Sequence, residues 1–187
     1  MAKKESEVRD FVEKVKIPDK VDAELDKNAV TLKGESGEVK RDFSSKKITI
    51  EKKDDAIVLK ADKPNKMRKK LIKTYAAHIR NMMKGASEGH KYVLKICSGH
   101  FPMNVAISNN DIVVKNFLGE KVPRTLKLKE GAVVKVDGDK IVVESASKEI
   151  AGQISADIET LTTRRGYDSR IFQDGIYIIN KDGKEII

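Results

Sequence analysis

The sequence predicts an α+β protein built from two similar tandem units, each a small antiparallel sheet with one helix packed on one face. The strongest sign is a self-match at a constant offset of 82, in which VDAELDKNAVTLKGESGE from Val21 lies over MNVAISNNDIVVKNFLGE from Met103. Asn28 falls on Asn110, Val30 on Ile112, Leu32 on Val114, Lys33 on Lys115 and Gly37 on Gly119. After a two-residue slip, AIVLK from Ala56 parallels KIVVE from Lys140. A fixed-offset match of this length marks a tandem repeat, and a unit far longer than a solenoid repeat is a domain of its own. The second sign is an apolar period of two in both copies, broken by turn residues. The third is one helical segment per copy, with Met67, Leu71 and Tyr75 superposing on Ile150, Ile154 and Ile158.

Residues 1–16 are charged, with Phe11, Val12 and Val15 as their apolar anchors, and read as a loose or weakly helical lead-in. The first unit is assigned to residues 17–88. Val21, Ala23 and Leu25 alternate, as do Val30 and Leu32, with Lys27-Asn28 as a tight turn and Gly34 to Gly37 as a loop. Ile48 and Ile50 alternate, Asp54-Asp55 turns, and Ile57–Leu59 form the next strand, completing a meander. Pro64 marks a helix start, where its missing N–H costs nothing. Met67, Leu71, Tyr75, His78 and Met82 form that helix's apolar stripe, with its stop near Gly85. Lys66, Lys69, Lys70, Lys73 and Arg80 fall on or beside the opposite face.

The second unit, residues 89–187 with a C-terminal tail, repeats the plan. Tyr92–Cys97 is an added leading strand, Asn109-Asn110 turns a hairpin, and Asp137-Gly138 is a two-residue hairpin signal. Ser147 is the expected N-cap of a helix over residues 150–163, whose buried stripe is Ile150, Ile154, Ile158 and Leu161. Arg170–Tyr177 reads as a strand on which Phe172 and Tyr177 alternate with exposed positions and are expected in the core, and it leads into a polar, Lys-bearing tail.

The chain of 187 residues carries 38 Lys and Arg against 29 Asp and Glu, a net charge of +9. Such an excess favours polyanionic partners, of which nucleic acid is the commonest. Residues 1–89 hold a net +7 and residues 90–187 a net +2. The single cysteine, Cys97, excludes an intramolecular disulfide and fits a reducing cytoplasm. No apolar run approaches the roughly 20 residues of a membrane span.

Enzyme chemistry finds no support. There is no P-loop, no GxGxxG after a strand and no HExxH. Cys97 and His100 share a C-x₂-H spacing, yet no second pair of zinc ligands accompanies them. The turn carboxylates Asp54-Asp55 and Asp137/Asp139 sit where Asp serves backbone geometry. No cofactor, metal or small-molecule substrate is expected. An RNA-modifying role for Cys97 would need an activated thiol, and its surroundings offer none.

Nucleic-acid chemistry is better represented. Residues 63–73 hold six cations and no acid, with Lys66, Lys70 and Lys73 placed to meet a row of phosphates. In the second copy, cations stand beside stacking groups: Lys91-Tyr92 with Lys95, His100-Phe101, Lys115-Asn116-Phe117 with Lys121 and Arg124, Arg164-Arg165-Gly166-Tyr167, and Arg170-Ile171-Phe172. Lys and Arg neutralise phosphates, while aromatic rings and histidine stack on splayed bases of structured RNA. Tyr92, His100 and Phe117 are the expected stackers, and Lys181 extends the basic set into the tail.

The run RIFQDGIYIINK from Arg170 to Lys181 resembles the C-terminal signature of the large-subunit ribosomal protein family called L-six. The resemblance extends to Gly89–Tyr92, to SGHFP from Ser98, to KNFLGEK from Lys115, and to VTLKGESGEVKRDF from Val30. Its wording is that of the archaeal and eukaryotic-like branch. The resemblance implies two similar α+β domains bound to large-subunit rRNA near the sarcin–ricin loop and stalk base, beside neighbouring ribosomal proteins. It also implies RNA contact mainly through the second domain's loops and C-terminal tail, and a cytoplasmic location in the large subunit. The competing reading from another class is a non-ribosomal protein–protein adaptor built from a duplicated domain.

Overall fold

The computed structural model describes residues 11–26, 28–43, 45, 48–61, 65–99, 101–168 and 170–186. Lys27, Lys63, Pro64 and His100, each assigned a role above, lie outside them. The chain divides into two compact units, residues 1–88 and 89–187.

In the first unit, β2 (Val21–Asp26), β3 (Ala29–Gly34) and β4 (Gly37–Asp42) form an antiparallel meander. A second sheet, in the order β1-β6-β5, joins β1 (Phe11–Lys16), β5 (Thr49–Lys53) and β6 (Ala56–Ala61). The strands therefore divide between two small sheets, and α1 (Lys66–Ser87) packs on both. The lead-in reading fails for residues 11–16, which form a strand along β6. The reason is visible in the alternation: Val15 is buried, and Phe11 and Glu13 turn the same way. Arg80 of α1 holds Glu13 at 2.9 Å, so even the charged position in that row has a partner.

The stripe assigned to α1 is one residue out of phase over most of its length, although its last member, Met82, is buried. The fully buried line is Ile72, Ala76 and Ile79, continued by Met83, whereas Met67 is 73% exposed and Leu71 and Tyr75 pack only at the core's margin. A phase shift of one residue rotates a helix by roughly 100°. Large side chains suit the margin, where Tyr75 meets Phe43 with ring centroids 4.7 Å apart. Ile and Ala suit the line of closest approach. The helix starts on Asn65, whose side chain accepts the Arg68 N–H at 2.8 Å. It runs past Gly85 to Ser87, and Gly89 supplies the positive φ (77°) that follows.

The second unit repeats this frame. Its elements are β7 (His90–Cys97), β8 (Asn104–Ser108), β9 (Asp111–Lys115), β10 (Arg124–Lys127), β11 (Val133–Asp137), β12 (Lys140–Ser145), α2 (Lys148–Leu161), β13 (Gly175–Lys181) and β14 (Lys184–Glu185). β8-β9-β10 form the meander, and the other sheet runs β11-β12-β7-β13-β14. Matched residues make matched bonds. The carbonyl of Asn28 accepts the Phe43 N–H at 3.0 Å, and that of Asn110 accepts the Leu128 N–H at 2.9 Å. Likewise Ile17 donates to the Asp55 carbonyl at 2.8 Å, and Ile96 to the Asp139 carbonyl at 2.7 Å.

In α2 the predicted phase is right: Ile154 and Ile158 are buried, with Ile150 and Leu161 beside them. Ser147 holds the N-cap position without a side-chain cap bond; its own N–H donates to Ser145 Oγ at 3.1 Å. The β11–β12 turn is Gly138-Asp139, one residue later than expected, since Asp137 pairs with Lys140. The strand expected through Phe172 and Tyr177 begins only at Gly175 and runs on into the predicted tail, to Lys181. β13 lies against β7, with Ile176 fully buried, its N–H bonded to Thr162 Oγ1 at 2.9 Å.

Candidate nucleic-acid interface

The connection from β9 to β10, residues 116–123, is longer than the two-residue turn between β3 and β4 in the first unit. Asn116 (φ 60°) and Leu118 (φ 47°) take left-handed backbone around a 3₁₀ turn, Phe117–Gly119. That geometry drives the Phe117 ring into the core, where it is 1% exposed. The Arg124 guanidinium lies 4.4 Å from the ring centroid and grips both Glu120 carboxylate oxygens, at 2.7 and 2.8 Å. Its remaining arm donates to the Leu161 carbonyl at 2.7 Å, satisfying the end of α2. The bond from Arg124 holds the Glu120 carboxyl below the ordinary glutamate value. Asn116 Nδ2 donates to the Pro102 carbonyl at 3.1 Å.

The segment after α2 builds an aromatic ledge. Arg164 lies 4.3 Å from the Tyr167 ring centroid and 3.6 Å from Glu120. Tyr167 meets Phe172 edge-on at 5.0 Å. A cavity of about 320 Å³ opens beside them, with Phe117, Thr162, Ile176 and Tyr177 in its lining. Tyr177 folds back over Gly175, where an added Cβ would stand 3.1 Å from the ring, so the glycine makes room for it. Asp174 ties the segment to the β7–β8 connection by accepting the Gly99 N–H. Asp168 accepts from the side chain and backbone of Arg170, which holds its carboxyl low.

Two aromatic assignments reverse. Tyr92 is 5% exposed and Phe117 is buried, so neither offers a face to a base. Phe172 (46% exposed) and Tyr177 (41%) are at the surface instead of in the core. Alternation misled for Phe172 and Tyr177, and a neighbouring cation misled for Tyr92 and Phe117. Residues 170–174 are not strand, and β13 begins one residue before Ile176, which takes the inward position. Tyr92 shares its side of β7 with His90 and Leu94, the side facing α2.

The remaining site residues fall into four groups. Lys115, Lys121 and Arg165 are exposed and make no ion pair among the described residues, and the half-exposed rings of Tyr167 and Phe172 belong to the same unit. Lys95 stands opposite Tyr177 across the β7–β13 ladder, and Lys181 is exposed at the end of β13. Lys66, Lys70 and Lys73 are exposed along α1 of the other unit, at spacings of four and three that share one helix face. Arg124 is committed to Glu120 and α2, and Arg170 pairs with Asp168 at 2.9 Å while staying open to solvent. Sequence reasoning missed Glu120 as the organiser of two arginines. The four-residue spacing from Glu120 to Arg124 was the available signal, but it lies in a loop.

Among the described residues, no group of three or more His, Cys, Asp or Glu side chains is placed to hold a metal, and no helix is long and apolar enough to cross a membrane. The arrangement is a surface of unpaired cations and half-exposed rings on a stapled loop frame.

A family profile described as Ribosomal protein L6 matches this chain twice, over residues 17–89 and 101–175. The Large ribosomal subunit protein uL6 of Methanococcus vannielii is 42% identical over 172 residues, 92% of this chain and 94% of the relative. That of Methanobrevibacter smithii is 41% identical, over 91% of this chain and 96% of its own. That of Methanosarcina mazei is 40% identical, over 93% and 99%. Two profile matches, one per structural unit, and near full-length archaeal relatives establish that the chain belongs to the ribosomal protein L6 family.

Proposed function

We propose that this protein is a structural constituent of the large ribosomal subunit that binds large-subunit rRNA near the sarcin–ricin loop and stalk base. There it supports the translation-factor-binding region, beside neighbouring ribosomal proteins. Family membership supports the ribosomal part and the absence of catalysis. The resemblance in RIFQDGIYIINK supports the location. The single observation favouring the second unit as the main contact is its ledge, where Arg164 lies over Tyr167, Tyr167 meets Phe172 edge-on, and Lys115, Lys121 and Arg165 make no ion pair among the described residues. Rings of this exposure stack on unpaired bases, and the cations take the flanking phosphates. Lys95, Asn116, Arg170 and Lys181 extend that surface, while Lys66, Lys70 and Lys73 add a phosphate-facing row on the first unit.

An RNA crosslink map on intact large subunits tests the reading. Crosslinks from the 164–172 segment to rRNA of the sarcin–ricin and stalk-base region are expected. Crosslinks confined to protein would favour the adaptor. Salt gives a second discrimination, since phosphate-driven affinity falls steeply as salt rises.

A further inference from the structure

The two units treat one sheet edge differently. In the second, β13 lies along β7 and completes the sheet. In the first, β1 is the edge strand, and among the described residues no strand lies on its far side. The equivalence of the edges rests on the matched bonds of Ile17 and Ile96, which place Lys16 where the second unit has Lys95. Ile17 bonds toward β6, so Phe11, Glu13 and Val15 do so too, and Val12, Lys14 and Lys16 aim their N–H and C=O groups outward. Beside this edge lies a groove of about 470 Å³ between β1 and α1, with Val15 and Met83 in it and four cations, Lys14, Lys16, Arg80 and Lys84, against one carboxylate, Glu88, around it.

From this we propose that the β1 edge receives an extended segment of a neighbouring protein, added antiparallel as a fourth strand and carrying alternating apolar and acidic residues. β13 is the template for the geometry. Its Ile176 and Ile178 stand opposite Ile96 and Leu94, the counterparts of Ile17 and Val15, and Tyr177 stands opposite Lys95. An incoming strand in the same register puts apolar side chains across from Ile17 and Val15, toward Met83. Its intervening residues face outward beside Lys16 and Lys14, where carboxylates are favoured.

Charge and hydrogen bonding select this occupant. Two copies of this chain paired around Lys14 would set lysine opposite lysine, which is destabilising. Lysine on an edge strand is a known guard against such self-pairing. A nucleic-acid backbone offers phosphate acceptors to the outward N–H groups but, ribose 2′-hydroxyls apart, no donors for the outward carbonyls. A polypeptide strand answers both. The proposal goes beyond rRNA binding and uses none of the second unit's residues.

The test places a photoreactive benzoylphenylalanine at Val12 of the full chain, assembled into intact large subunits. The expected product is a crosslink to a neighbouring ribosomal protein at a segment with the apolar–acidic alternation. Lys14→Pro removes an outward N–H and no bond to β6, a change edge strands tolerate. It should cut the yield about tenfold, as should the double variant Lys14→Glu/Lys16→Glu, which keeps every backbone donor. The charge pair also covers the case in which the proline variant fails to fold. Crosslinks to rRNA, to a second copy or to this chain's own residues 1–10 would overturn the proposal, as would no crosslink or a yield unchanged in the variants. Binding of an rRNA fragment by the same variants should match the parent, which separates this outcome from failure of the RNA reading.

Discussion

Both units bring the turn after their third common strand onto the end of their helix, but by different means. In the first, Glu35-Ser36 joins β3 to β4 directly, and Ser36 donates from its N–H to the Ala86 carbonyl (3.0 Å) and from its Oγ to the Ser87 carbonyl (3.2 Å). Gly34 sits so close that a Cβ there would lie 2.4 Å from the Ala86 oxygen. In the second, residues 116–123 do the same work with a buried ring and a guanidinium. The first solution is made of backbone and one serine hydroxyl and leaves no room for ornament. The second anchors a longer loop at Phe117 and Arg124 and frees Lys115 and Lys121 for solvent or a partner. A duplicated frame can thus keep one copy lean and give the other a recognition surface at the same corner.

The largest expected effects lie in the helix faces the units share. Ile72→Ala and Ile154→Ala should each cost about 2–5 kcal/mol, from lost transfer energy and a cavity. Leu71→Ala, at the margin, should cost about 1–2 kcal/mol because less area leaves water there. Denaturant melts that rank Leu71 level with Ile72 would contradict the observed phase of α1.

The two corners should break differently. Arg124→Ala removes a charge-assisted fork and the α2 carbonyl bond, with an expected cost of about 1.5–3 kcal/mol. Arg124→Lys should recover only part of it, because an ammonium cannot make the fork. Ser36→Ala should cost about 0.5–1.5 kcal/mol, its backbone bond being untouched. Equal losses at the two positions would remove the contrast.

Acid offers a finer probe of the second corner. Glu120 has a folded-state pKa below the ordinary 4.5, chiefly through the Arg124 bond. Its stabilisation is therefore complete above that ordinary value and is lost as pH falls from there through the lowered one. Stability measured from pH 6 down to about pH 3 should fall less steeply in Glu120→Gln than in the parent. An identical slope would mean the ion pair contributes nothing to folding.

The smallest expected change in stability belongs to the surface cations. Lys121→Ala and Arg165→Ala should leave melts within about 0.5 kcal/mol of the parent. Each should nevertheless flatten the salt dependence of rRNA-fragment binding by about one unit of log–log slope. Unchanged slopes with unchanged affinity would take these residues out of the interface.

Much of the frame was legible because it is written in local spacing. The Asn28/Asn110 match located equivalent hairpins, and the isoleucines of α2 announced its buried face. What escaped depends on tertiary contact. β1 was hidden because Glu13 interrupts its inward row and Val12 its outward one, and only Arg80 shows why Glu13 can face inward. Phe117 looked like a stacker because nothing in KNFLGEK reveals two left-handed residues that swing the ring inside. Of the candidate site, the cations were readable as exposed. Their division into committed Arg124 and uncommitted Lys121 required the position of Glu120, which spacing alone does not supply.

The position of β13 also has a consequence for synthesis. Every element of the first unit precedes residue 88, so that unit can close while later residues are still being made. The second cannot, because β7 waits for β13, made some eighty residues later, before its sheet and the space around Ile176 are filled. Until then the nascent β7 presents the same kind of open ladder that β1 shows among the described residues. A chaperone or the translating particle itself would meet that edge first, and pauses placed between α2 and β13 should lengthen its exposure.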